Sequence, residues 1–67
     1  MKLKMSQTIH FPDGRELKIV VANGVGCVLL DHEVRERGPE AQVREVFHTL
    51  HDRLSQDYER LGYTLPW

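Results

Sequence analysis

Apolar residues fall at every second position at the start of the chain, at Leu3, Met5, Ile9 and Phe11, with Gln7 the one interruption. Lys2, Lys4, Ser6, Thr8 and His10 take the places between them. Period two marks a strand buried on one face only. The next stretch, "FPDGR", has a proline that presets φ at the first central turn position and a glycine that accepts positive φ. It predicts a type I turn with a glycine bulge, closing a hairpin. In the return strand, Leu17, Ile19 and Val21 share one face, and Glu16, Lys18, Val20 and Ala22 share the other.

Asn23-Gly24 then supplies the dipeptide suited to a two-residue type I′ reversal, where both central residues need φ > 0. A reversal that short sets the register: Ala22 opposite Val25, Val20 opposite Cys27, Ile19 opposite Val28 and Leu17 opposite Leu30. Register fixes the faces. Val28 and Leu30 join the inner face, while Val25, Cys27 and Leu29 turn outward beside Val20. The third strand is expected to run on through "DHEV" before charge takes over at "RERG".

From "GPEAQ" onward the period changes. Gly38 suits an N-cap, Pro39 the first turn, and Glu40 the positive end of a helix dipole. Val43, Phe47, Leu50, Leu54, Tyr58 and Leu61 recur at helical spacing, widened by Val46. Arg44, Glu45, His48, Thr49, Asp52, Gln56 and Glu59 lie away from that stripe. Glu40 and Arg44 form an i, i+4 pair. Gly62 stops the helix, with Tyr63 placed to meet Tyr58 in a Schellman-type end.

The pattern therefore predicts one α+β domain over 1–67: a three-stranded antiparallel β-meander with one long C-terminal helix packed on one sheet face. Strands are expected over about 2–11, 16–22 and 25–34, a helix over about 39–61, and a short tail over 62–67. A single helix covers one face of such a sheet. The other face is left open.

Size makes that open face matter. Sixty-seven residues lie near the lower limit for unaided folding, and Cys27 is the one cysteine, so no disulfide staples the chain. A lone thiol suits a reducing compartment. With no signal-peptide pattern and no apolar run long enough to span a bilayer, the expected location is cytoplasmic, with no membrane partner. Charged residues make up 28% with a net of −1, which favours neither nucleic acid nor anionic lipid.

The outward strip of Val20, Val25, Cys27 and Leu29 is the leading candidate site, because contiguous exposed apolar area marks an interface. The third strand also sits at the expected sheet edge, where unpaired backbone groups accept another strand. The expected occupant is a protein partner or a second copy. Glu45, Asp52 and Glu59 on the exposed helix face offer a polar rim for a basic target. The competing account folds the "LPW" tail over the strip. Trp67 is expected to pack on its own chain.

Other chemistry finds less support. Zinc wants three or four converging ligands. His48 and His51, with Asp52 beside them, diverge between the solvent face and the flank of the helix, while Cys27 faces away from it. No metal or other cofactor is expected, and Cys27 has no adjacent base to make it a nucleophile, so no enzyme is expected. Lys2, Lys4, Arg15 and Lys18 form a modest basic patch, the basis of an alternative reading as a small nucleic-acid-binding regulator. Only His10 adds a ring there, and Glu16 sits among the cations.

In size and build the chain resembles the small phage-encoded inhibitors of bacterial defence, anti-CRISPR proteins among them. The likeness lies in the tiny α+β architecture with an open sheet, not in individual residues. It implies action by surface contact rather than by chemistry.

Overall fold

The first two reversals form where the turn residues place them. In the computed structural model, which describes residues 3–67, β1 (Leu3–His10) and β2 (Glu16–Ala22) are joined by a turn in which the Gly14 N–H donates to the Phe11 carbonyl at 3.0 Å. Gly14 has φ 92°, and the Phe11 N–H donates to the Arg15 carbonyl at 2.9 Å. Asn23 and Gly24, at φ 54° and 78°, then turn β2 into β3 (Val25–Leu30). The register is the one a two-residue loop dictates, from Ala22 opposite Val25 to Leu17 opposite Leu30. Leu17, Ile19, Val21, Val28 and Leu30 are accordingly buried.

The sheet has four strands, not three. The expected run from 25 to 34 is broken at Asp31 and His32, which take φ 52° and 69° and reverse the chain into β4 (Glu33–Pro39). Left-handed backbone is uncommon outside glycine, and aspartate tolerates it better than most residues. Here Asp31 is held in place from β2. Its carboxylate accepts the Glu16 N–H and the Arg15 Nε–H, each at 3.0 Å, and its own N–H donates to the Glu16 carbonyl at 2.8 Å. These bonds, the Glu16 N–H first and the guanidinium next, hold the Asp31 carboxyl below its ordinary range. The order is β1-β2-β3-β4, all antiparallel, so β3 is interior and the expected edge belongs to β4.

Two bulges complete the sheet. One falls between Leu3 and Met5, setting Leu3 opposite Ala22. Leu3 therefore shares the outward face, contrary to its alternation with Met5, and Lys4 reaches Glu40 at the helix start at 2.8 Å. The other bulge lies between Val28 and Leu29, where Glu36 and Val34 are their partners and Arg35 is the extra residue.

The helix α1 (Glu40–Arg60) follows β4 with no loop. Gly38 pairs with Gly26 inside β4, so Pro39, not Gly38, is the N-cap. The Glu40 N–H donates instead to the Gly24 carbonyl at 2.9 Å, tying the helix start to the β2–β3 turn. At the other end Gly62 takes φ 96°, with Gly62 N–H to Glu59 C=O at 3.0 Å and Tyr63 N–H to Tyr58 C=O at 3.1 Å. This is the Schellman pattern. Leu61, expected on the apolar stripe, is the C-cap and is 75% exposed.

The helix packs across β2, β3 and β4 but not β1. Val43 and Tyr58 are buried with the inner residues of the sheet, and Phe11 stacks on Tyr58 with ring centroids 4.9 Å apart. Close approach at the N-terminal end needs Gly26. A Cβ there would lie 2.5 Å from the Val20 carbonyl oxygen and 3.1 Å from Val43 Cγ2. Beside β1 the helix leaves an open groove of about 450 Å³ lined in part by Met5, Gln7, Ile9, Phe47 and His51. Gln7, the break in the first alternation, sits on that wet floor.

Candidate functional site: the open face of the sheet

Antiparallel partners share a face, so the outward surface can be laid out by register. Ala22, Val25 and Pro39 line up on the first level, Val20, Cys27 and Arg37 on the second, and Lys18, Leu29 and Val34 on the third. On β1 the matching outward residues are Leu3, Ser6, Thr8 and, beside Glu16, His10. Val25 is 57% exposed and Val34 44%, while Val20, Cys27 and Leu29 are half-buried only by their neighbours. A shallow hollow of about 430 Å³ opens between Val20, Ala22, Val25, Cys27 and Arg37. The predicted strip is thus brought together. Ala22, Val34 and Arg37 extend it, and the last two were hidden because they depend on the fourth strand.

The tail does not cover this surface. Trp67 Nε1–H donates to Ser55 Oγ at 3.0 Å, and the indole meets Phe11 edge-on at 5.5 Å and His51 at 5.1 Å. Leu65 packs against the core from the same side. Trp67 therefore packs on its own chain, on the helix side. Ser55 is buried as its anchor, a role no spacing in the sequence distinguishes from a solvent-facing serine.

Glu45, Asp52 and Glu59 are exposed on the helix. That places them across the molecule from Val20, Val25, Cys27 and Leu29, so the two candidate sets form separate surfaces. Asp52 lies 3.7 Å from both His48 Nε2 and His51 Nδ1.

The candidate basic patch is dispersed. Lys4 is paired with Glu40, and Arg15 with Asp31 at 3.0 Å. Lys18 stands on the outward face, and Lys2 lies outside the described residues. Among the described residues no three His, Cys, Asp or Glu side chains group as metal ligands, and no helix is long and apolar enough to cross a membrane.

Around Cys27 the nearest outward neighbours are Val20 and Arg37 across the strands and Val25 and Leu29 along its own. No carboxylate or imidazole occupies these positions. No family model, curated protein or solved structure matches the chain.

Proposed function

We propose that the chain is a small non-enzymatic interaction module that acts by surface contact, with the outward face of β2, β3 and β4 as its docking surface. One observation carries the reading: Val20, Ala22, Val25, Cys27, Leu29 and Val34 form a continuous apolar surface that neither the helix nor the tail covers. Apolar area of that kind is seldom left without an occupant. Lys18 and Arg37 border it with one cation on each flanking strand. Action as a small inhibitor of a host defence complex, in the manner of the anti-CRISPR proteins it resembles in build, fits this surface. The ion pairs of Lys4 and Arg15 weigh against the nucleic-acid alternative.

The test is Leu29→Glu. A docking residue predicts a variant with an unchanged circular dichroism spectrum that no longer forms the complex, with itself or another protein, that the unaltered chain forms. Loss of the fold would assign Leu29 to the chain's own core. Salt-sensitive DNA or RNA binding that Lys18→Glu abolishes would favour the alternative instead.

A further inference from the structure

The docking surface has a symmetry of its own. Its middle lane, on β3, is wholly apolar: Val25, Cys27 and Leu29. The lanes on either side each carry two apolar residues and one cation, at different levels. On β2 these are Ala22, Val20 and Lys18, and on β4 they are Pro39, Arg37 and Val34. We infer that the occupant is a second copy of this chain, stacked face to face about a two-fold axis running along β3. The inference rests on reading this face as a docking surface.

Such an axis lays β2 of one copy over β4 of the other, level for level. Ala22 meets Pro39, Val20 meets the aliphatic stem of Arg37, and the stem of Lys18 meets Val34. No cation faces a cation, and both charged heads reach the rim, where long side chains keep them in water. A two-fold set across the strands would instead place Arg37 on Arg37. The chosen axis also leaves β1 beyond the overlap, and past Leu3 at its start the outward residues of β1 are Ser6, Thr8 and His10. From Ser6 onward the face turns polar where the contact would end, and Leu3 extends the apolar surface beside Ala22.

Both sheet edges argue for stacking rather than strand addition. β1 is bulged at Lys4, and β4 is bulged at Arg35 and ends in Pro39. Bulges, charge and proline are the usual means of blocking edge pairing. Three strands give a footprint of roughly 14 by 20 Å. At roughly 280 Å² per copy it falls well short of the standard interface of about 800 Å² per partner, which implies a weak dimer that forms only at high concentration and dissociates on dilution.

Sedimentation of the full chain across a concentration series tests the inference. The 7.8 kDa chain is expected to shift to twice that mass as concentration rises. Leu29→Glu, or Val25→Lys should Leu29→Glu misfold, is expected to weaken the association about ten-fold or more while keeping the monomer folded. A short bismaleimide is expected to link Cys27 to Cys27 only at concentrations where the mass doubles. A chain that stays monomeric throughout overturns the second-copy inference and leaves the docking surface for a foreign protein. A dimer indifferent to both substitutions overturns the inference and the docking surface together.

Discussion

Val28 and Leu29 are neighbours in one strand, yet they belong to two different environments. Val28 is fully buried under α1 among Leu17, Ile19, Val21 and Val43, whereas Leu29 stands on the outward face between Lys18 and Val34. The same hairpin register creates both surfaces, because a period of two sends alternate side chains to opposite sides. The helix and the tail close only the inner one. Apolar residues on the inner face stabilise the fold, and those on the outer face lie outside that core.

Adding a single methyl group does most harm where the inner face is tightest. Gly26→Ala is expected to cost about 1–3 kcal/mol, since the new methyl must displace backbone rather than a flexible side chain. Chemical denaturation reads this as a lower midpoint at unchanged slope, and an unchanged midpoint would mean that the Val20 carbonyl does not crowd Gly26 so closely. Trp67→Ala should cost about 1 kcal/mol through the lost ring contacts and the Ser55 hydrogen bond. It should leave the reaction of Cys27 with a thiol reagent unchanged. Faster reaction would place the tail over the outer face.

A pH series probes the inner face from another side. Burial, and next the hydrogen bond to the Asp13 carboxylate, push the Tyr58 phenol up to about 12 from an ordinary 10.0. The folded chain keeps a proton that the unfolded chain releases near pH 10, so this contribution is complete below pH 10 and is lost as pH rises to about 12. Thermal midpoints should fall across that window, and Tyr58→Phe should flatten the fall. Smallest of all is Glu40→Gln, which weakens the pairs with Lys4 and Arg44 at the exposed helix start. Its midpoint should differ from the parent only at low salt, where screening is weakest.

How much of this the residues disclosed depended on turn chemistry. Asn23-Gly24 carries an unmistakable reversal signal, and from it the inner residues and the outward strip through Val20, Val25, Cys27 and Leu29 could be read. Asp31-His32 makes the same kind of turn without glycine, supported by bonds to Arg15 and Glu16 that are distant in sequence. The strand that follows offers no alternation, because Glu33, Glu36 and Gly38 face Leu30, Val28 and Gly26 at the margin of the core. Without β4, neither Val34 nor Arg37 can be placed, and β3 is mistaken for an edge. Leu3 was misplaced by one inserted residue at Lys4. Glu45, Asp52 and Glu59 were legible as exposed, but their separation from the strip follows from where the helix lies.

The claim that one register makes a core on one side and a docking surface on the other is tested most directly by a matched pair, Val28→Asp and Leu29→Asp, compared by urea denaturation at a concentration low enough to keep the chain monomeric. The account predicts that Val28→Asp abolishes the folding transition, because it buries an unpaired charge, and that Leu29→Asp keeps a cooperative transition with a midpoint near that of the parent. Equal collapse of both variants would contradict it.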